Sequence, residues 1–191
     1  QRKVFLILFL NKMAGKRELI KYLNQLSKEE LIKEVEKLNR KFDNVKEYYA
    51  AELSEDNSAL TAKYKKAIYK EFFPREKSGR PGEARSSVLR KIIADFSKIS
   101  VFEADIIELI LYRVEMAVEF SAEYGDIDEQ FYTSAENYFD KVCVLIAKNK
   151  LENTYEDRCM QMIYKTRNFG WGFYDTLNDS WFRHCERNRN K

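Results

Sequence analysis

A chain of 191 residues has the length of one ordinary domain and is long enough to bury a sizeable core. With 45% hydrophobic and 34% charged residues but only six glycines and two prolines, its composition favours a helix-rich globular fold and argues against a barrel, a sandwich or a disordered chain. The three widely spaced cysteines, Cys143, Cys159 and Cys185, argue against a disulfide framework or a zinc knuckle, and they predict a reducing, cytoplasmic location.

The first twelve residues, QRKVFLILFLNK, contain an apolar run from Val4 to Leu10. This run is much shorter than the roughly 20 residues of a membrane-spanning helix, and no small-residue cleavage pattern follows it. Because Met13 precedes a lysine-rich helix start, we interpret residues 1–12 as an upstream extension or tail, with a weak signal peptide as the alternative. We therefore predict a single helical domain over residues 13–191 and no membrane span.

From Met13 onward the pattern is a series of amphipathic helices. One helical stripe is formed by Leu19, Leu23 and Leu26. Ser27 and Glu30 form a capping box, SKEE, that predicts the start of a second helix. Two more helices are expected in VKEYYAAEL and SALTAKYKKAIYKEFF.

The longest predicted loop is PREKSGRPGEAR, residues 74–85, which holds both prolines and separates two halves of the domain. Basic side chains cluster in it and just after it: Arg75, Lys77, Arg80, Arg85, Arg90 and Lys91. Because Ser86 and Ser87 follow at an expected helix start, this basic loop is a candidate phosphate-binding region. It lacks the GxxxxGK[ST] spacing of a nucleotide-binding loop, and a flexible solvated loop is the other interpretation.

Five helices are expected after the loop. The first is SSVLRKIIADFSKI, and a second capping box at Ser100 predicts a long helix that ends at Tyr124. Gly125 suits the left-handed conformation that ends a helix, and Asp126 is predicted to cap the next one. The remaining helices are predicted at about residues 127–148, 153–165 and 173–187. The sequence thus predicts an all-α fold of eight or nine helices in antiparallel pairs, with a short helical-repeat-like stack as one arrangement.

Charge is distributed unevenly along the chain. Residues 101–140 contain eleven acids and one base, Arg113, whereas the rest of the chain contains 33 bases and 20 acids. The acids follow one face of each of two helices: Glu108, Glu115, Glu119 and Glu123 on the first, Glu129, Glu136 and Asp140 on the second. Such stripes suit a basic partner or a cation, or are solvated faces of amphipathic helices. A di-iron carboxylate site is not expected, because His184 is the one histidine and lies at the other end of the chain.

The stretch NFGWGFYDTLNDSW, residues 168–181, places two glycines around Trp171. We interpret it as a corner between two helices, in which Trp171 turns into the core. The new helix would carry an apolar stripe of Phe173, Leu177 and Trp181. Asp175 would lie in its first turn, where the helix dipole favours a negative charge, and Asp179 one turn later. The alternative is an aromatic and carboxylate pocket for a small cationic ligand or a peptide.

Three segments, KRELIKYLNQLSKEELI, VEFSAEYGDIDEQFY and GWGFYDTLND, carry a resemblance to a known family. From about Met13 to Cys185 the chain resembles an uncharacterised bacterial family, a domain of unknown function of nearly this length. The resemblance implies Met13 as the natural start and a small cytoplasmic bacterial protein. It implies no catalytic residue.

No catalytic, cofactor-binding or metal-ligating signature stands out in the sequence. We therefore predict a non-enzymatic helical interaction protein whose acidic hairpin and Gly-Trp-Gly corner contact a protein partner or a second copy of the chain. The residues expected in this contact are Glu119, Glu123, Asp126, Asp128, Trp171, Asp175 and Asp179. The alternative is a nucleic-acid-binding protein that uses the basic loop and the N-terminal helices, and a carboxylate-based metal hydrolase comes third.

Overall fold

The computed structural model describes residues 15–74 and 82–187. Within these ranges the chain forms nine α-helices, one short π-helical segment and no strand. The helices are α1 (Lys16–Leu23), α2 (Lys28–Lys41), α3 (Asp43–Glu52), α4 (Ser58–Phe72), α5 (Ser86–Ile99), α6 (Glu103–Tyr124), α7 (Glu129–Lys148), α8 (Glu152–Lys165) and α9 (Phe173–Trp181). The π-helical segment, Phe182–Glu186, continues directly from α9. The predicted all-α fold is confirmed.

The chain divides into two compact units, residues 1–46 and 47–191. In the first unit the predicted capping box is confirmed. The Ser27 hydroxyl accepts the Glu30 N–H at 3.2 Å, and the Glu30 carboxylate accepts the Ser27 N–H at 2.8 Å. The boundary lies well before the basic loop at residues 74–85, because α4 on one side of that loop packs against α5 and α6 on the other. A single domain over residues 13–191 stays a prediction.

The core of the second unit surrounds α6, which contacts α4, α5, α7 and α8. Leu109, Ile110 and Leu111 are consecutive and all fully buried, so this helix is apolar around most of its circumference, as a central helix must be. Aromatic rings extend the core at one end of α6, where Phe120 lies 5.7 Å from both Phe72 and Phe131, measured between ring centroids.

One charged side chain lies inside this core. Arg113 of α6 is 2% exposed, and its guanidinium donates to the carbonyl and hydroxyl oxygens of Ser134 on α7, at 3.2 and 2.7 Å. The guanidinium also lies 3.9 Å from the centroid of the Tyr138 ring. Burial lowers the pKa of Arg113 to about 10. Arg113 therefore joins α6 to α7 through neutral partners, and within the described residues no carboxylate pairs with it.

Two predicted helix caps are wrong. The N-cap of α6 is Phe102, and the Ser100 hydroxyl donates instead to the Phe102 carbonyl at 3.1 Å. Helix α7 is capped by Asp128, whose carboxylate accepts the N–H three residues on at 2.8 Å, and not by Asp126. The conformation of Gly125 explains why Asp126 does not cap α7. Gly125 ends α6 at φ 85° and ψ −164°, a geometry that is extended although φ is positive. This extended step starts α7 further along the chain and leaves Asp126 available for other contacts.

Candidate interaction site

The turn between α6 and α7, residues 125–128, lies against the connection between α8 and α9, residues 166–172. The backbone N–H of Gly170 donates to Asp126 Oδ1 at 3.1 Å, and Trp171 Nε1 donates to the Ile127 carbonyl at 3.0 Å. Both hydrogen bonds join residues 44 positions apart in the chain. The fold therefore brings together the motifs EYGDIDEQFY and GWGFYDTLND, which lie far apart in the sequence.

Asp126 is the central residue of this junction. Its Oδ1 also accepts the hydroxyl of Tyr132, a buried residue of α7, at 2.7 Å. Burial raises the pKa of Tyr132, and the hydrogen bond to Asp126 raises it further, so the phenol remains a donor at neutral pH. A Cβ atom on Gly170 would collide with the Asp126 carboxylate, so this close approach requires glycine.

Trp171 points outward, so its predicted burial in the core is wrong. The residue is 56% exposed and has φ 61°, a left-handed conformation that is rare for a bulky side chain. The indole is held at the surface by its hydrogen bond to the Ile127 carbonyl. The core position belongs to the stripe of Phe173, Leu177 and Trp181, which are all buried as predicted.

Additional aromatic and basic side chains occur close to Trp171 in the chain. The Arg167 guanidinium lies 3.6 Å from the centroid of the Tyr164 ring and 5.6 Å from that of Tyr174. Tyr164 is 60% exposed. These three residues were not predicted as site residues, although the spacing of Tyr164 and Arg167 by three is a weak signal for such a contact. Trp, Tyr and Arg are the residue types most enriched in binding hot spots.

Two of the four acids in the stripe predicted on α6, Glu108 and Glu115, are paired with basic side chains of other helices. Arg158 of α8 donates to Glu115 Oε1 at 2.5 Å and to Glu108 Oε1 at 2.7 Å, and Lys65 of α4 donates to Glu108 Oε2 at 3.1 Å. Burial raises the pKa of Glu108, but these donors outweigh burial and hold it below its usual range. This part of the stripe therefore packs helices together and is neither a bare solvated face nor available to a partner.

The acids predicted to meet a partner fall into two groups. Glu119 forms an ion pair with Lys165 of α8 at 2.5 Å, while Asp126 and Asp128 bind groups of the junction and of α7 as described above. Glu123, Asp175 and Asp179 are exposed. No ion pair forms at these three carboxylates within residues 15–74 and 82–187. These three exposed negative charges flank the junction in the chain.

His184 and the cysteines lie apart from the junction, in and around the π-helical segment. The His184 ring is half-buried, with Nε2 2.9 Å from Asp140 Oδ1 on α7, so Asp140 of the second acidic stripe is also engaged. All three cysteines are buried, and burial raises the pKa of the Cys159 thiol. Across the described part of the chain, no group of three or more His, Cys, Asp or Glu side chains is arranged to hold a metal ion.

The basic residues of the predicted phosphate-binding region are only partly described. Arg75, Lys77 and Arg80 lie outside the described residues. Arg85 is engaged, with Nε 2.8 Å from Glu71 Oε1 and 3.3 Å from Glu83 Oε2. Arg90 and Lys91 are exposed on α5. Since Arg85 is neutralised within the fold, the free positive charge of the described part of this region lies on α5.

A cleft of about 710 Å³ lies between the start of α5 and the α6–α7 turn. Arg90 and Asp128 both line it, so the basic region and the acidic turn face the same space. The N-cap of α5 is Arg85, whose side chain provides no acceptor for the first backbone N–H groups of the helix.

Together these features define a class: an all-helical protein with a candidate contact surface where two chain segments meet. The chain belongs to a family described as a family of unknown function (DUF6155), whose model matches residues 13–182. The match begins at Met13, as the resemblance predicted, and includes both segments of the junction. Neither the curated proteins nor the solved structures contain a match to the chain. In the described residues, no helix has the length and apolar character needed to cross a membrane.

Proposed function

We propose that the protein is a non-enzymatic helical interaction protein that binds a protein partner through the surface formed by residues 125–128 and 166–172, termed the Trp171 surface. The observation that carries the proposal is the exposed Trp171 at positive φ. A non-glycine residue in this conformation costs on the order of 1–3 kcal/mol, and such strain is concentrated at functional sites. A large exposed aromatic ring gains most when a partner covers it.

The hydrogen bond from Trp171 Nε1 to Ile127 supports the proposal because it holds the indole in one orientation before a partner arrives. A pre-organised side chain loses less rotational freedom on binding than a mobile one, where the loss is roughly 0.5–1.5 kcal/mol. The Arg167 guanidinium, stacked on Tyr164, is ordered in a similar way.

The expected partner carries a basic segment. Glu123, Asp175 and Asp179 present exposed carboxylates on the helices that enter and leave the Trp171 surface. Complementary charge speeds encounter and selects the partner more than it adds affinity. A second copy of the chain is the other protein candidate, because the residues outside 101–140 carry an excess of positive charge.

We further propose that the protein works in a bacterial cytoplasm. The resemblance of its motifs to bacterial sequences supports a bacterial origin. The three buried cysteines, which form no disulfide with one another, suit a reducing compartment.

The proposal is tested by Trp171→Ala, compared with Phe182→Ala as a matched control that removes an exposed ring elsewhere. Proteins that co-purify with the tagged wild-type chain are identified, and the strongest is produced and titrated against each variant by calorimetry. We expect Trp171→Ala to weaken binding at least tenfold, since hot-spot aromatics contribute roughly 2 kcal/mol or more. The control should bind as the wild type does. Equal binding by both variants would contradict the proposal.

The same protein samples test the remaining alternatives. Self-association, measured by analytical ultracentrifugation and lost in Trp171→Ala, would assign the Trp171 surface to a homo-oligomer. The nucleic-acid alternative is supported by Arg90 and Lys91 on α5. It predicts binding to labelled DNA or RNA at low salt that falls steeply as salt rises and is lost in Arg90→Ala/Lys91→Ala.

A further inference from the structure

A second cleft, of about 400 Å³, lies where the turn before α4 meets the start of α6. Its ionisable lining consists of four acids and one base: Glu55, Asp56, Asp105, Glu108 and Lys65. None of these residues belongs to the Trp171 surface or to the basic region of α5. The cleft therefore needs an explanation independent of the proposed interaction.

Of the acids that line this cleft, Glu108 is paired with basic side chains of the described residues and Asp56 is not. Lys65 donates to Glu108, and Arg158 donates to the other oxygen of the same carboxylate, so Glu108 is neutralised from two directions. Asp56 accepts the N–H and the hydroxyl of Ser58 at 2.8 and 2.9 Å, and these two hydrogen bonds lower the pKa of Asp56. Asp56 therefore stays ionised at neutral pH without a basic side chain as partner among the described residues.

Two oxygens of residues that line the cleft lack any hydrogen-bond partner within the described residues: Asp105 Oδ2 and Thr61 Oγ1. Both atoms are buried, and Thr61 as a whole is only 8% exposed. Buried polar atoms without a partner are rare in folded proteins, because each one loses its hydrogen bonds to water. A carboxylate oxygen can only accept, and a hydroxyl oxygen can accept. Each of these two oxygens can therefore accept a donor that the described residues do not supply.

The electrostatic surroundings of Asp105 call for a positive donor. Burial raises the pKa of Asp105, and the negative charges of Asp56 and Glu108 raise it further. A cation in the cleft would stabilise the ionised Asp105 carboxylate against burial and against repulsion by Asp56 and Glu108. Because both orphan oxygens are buried, a ligand contacts them only when the Asp105 and Thr61 side chains turn toward the cleft, and such rotation between rotamers needs no backbone movement.

We propose that this cleft binds a small alkylammonium ion, with Asp105 and Thr61 as acceptors of its N–H groups and Asp56 as a nearby counter-charge. An ammonium head has three N–H donors and a full positive charge. The exposed ring of Phe102 and the methyl group of Ala62 line the same cleft and provide apolar contact for a short alkyl chain. The described acids are not grouped as metal ligands, so a cation bound through hydrogen bonds fits them better than a divalent metal ion.

The test is a calorimetric or NMR titration of the full chain with butylammonium chloride, with butanol as a neutral probe of the same shape. We expect saturable binding of butylammonium and none of butanol. Asp105→Asn should weaken binding at least tenfold, and Thr61→Val, which keeps the side-chain shape, should weaken it several-fold. Asp157→Asn, which changes an exposed carboxylate of α8, should bind as the wild type does.

Three outcomes would overturn the assignment: no saturable binding of butylammonium to the wild type, equal binding of butanol, or unchanged binding by both Asp105→Asn and Thr61→Val. Saturable binding of Mg²⁺ or Ca²⁺ without butylammonium binding would also overturn it. If Asp105→Asn fails to fold, butylammonium binding is compared between Thr61→Val and the wild type. Because Trp171→Ala leaves this cleft intact, failure here is distinguishable from failure of the proposed protein interaction.

Discussion

At Asp126 a single carboxylate oxygen accepts one hydrogen bond from Tyr132 and another from the backbone of Gly170. These two bonds join the α6–α7 turn to α7 and to the α8–α9 connection. Asp126 can take this role because the cap of α7 belongs to Asp128. The orientation of Trp171 depends on the same junction, since its indole donates to the residue that follows Asp126.

Gly170→Ala should lower the free energy of unfolding by about 1–3 kcal/mol, because the new Cβ displaces the Asp126 carboxylate and leaves the buried Tyr132 side chain without its acceptor. Urea unfolding of Gly170→Ala, Asp126→Ala and the double variant measures this coupling. In the double variant the alanine at position 170 should cost little, since the colliding carboxylate is gone. If the two single changes in the free energy of unfolding simply add in the double variant, the contact with Asp126 is not the cause of the loss in Gly170→Ala.

At the scale of the element, α7 ends in a Schellman motif built without glycine. The N–H of Leu151 donates to the Ile146 carbonyl at 3.0 Å, and that of Lys150 donates to the Ala147 carbonyl at 3.1 Å. Lys150 has φ 57°, the left-handed conformation that glycine adopts most easily. The helix end is therefore well hydrogen-bonded but strained at an exposed lysine.

Lys150→Gly should raise the free energy of unfolding by about 0.5–1 kcal/mol, because glycine removes the steric cost of positive φ at this position. Lys150→Ala removes the same side chain but keeps a Cβ atom, so it serves as the matched control and should change stability little. Differential scanning calorimetry of both variants measures the difference. Equal melting temperatures for the two would contradict the strain at Lys150.

At the scale of the whole second unit, the ion pairs around Glu108 join three helices. Lys65 comes from α4, Glu108 and Glu115 from α6, and Arg158 from α8. These side chains are each about a quarter to a third exposed, so their interactions are screened less than those of surface pairs. The network lies between the core and solvent and positions α8, which leads into the Trp171 surface.

Arg158→Met should lower the free energy of unfolding by about 2 kcal/mol at pH 7, as expected when hydrogen bonds to charged groups are lost. The pKa of Glu108 is lower in the folded state than its ordinary 4.5, so its contribution is complete above that value and is lost as pH falls through the folded pKa. The difference between wild type and variant should therefore shrink towards pH 3.

Urea unfolding at pH 7 and pH 3 measures this change. Lys165→Met is the control, because its ion pair with Glu119 is well exposed and should contribute under about 1 kcal/mol. A difference for Arg158→Met that stays constant between the two pH values would contradict the role assigned to Glu108.

Most of the local structure was predictable from the sequence, although the caps of α6 and α7 were not. Hydrophobic spacing and turn residues predicted the helices, including α5 with its exact bounds, the capping box at Ser27 and the buried stripe from Phe173 to Trp181. These features depend on residues within one or two helical turns of each other, so they can be predicted from the local sequence. Family membership was also readable from the motifs.

The arrangement of the candidate site could not be predicted from the sequence, because long-range contacts bring its residues together. Trp171 lies outward because it bonds to Ile127, 44 residues earlier. Glu108 and Glu115 of α6 are paired because Lys65 and Arg158 come from other helices. A charged stripe has the same spacing whether it faces water or a basic side chain, and a Gly-Trp-Gly turn has the same letters whether its indole points inward or outward. The deciding contacts are long-range, and they exist only once the helices have packed.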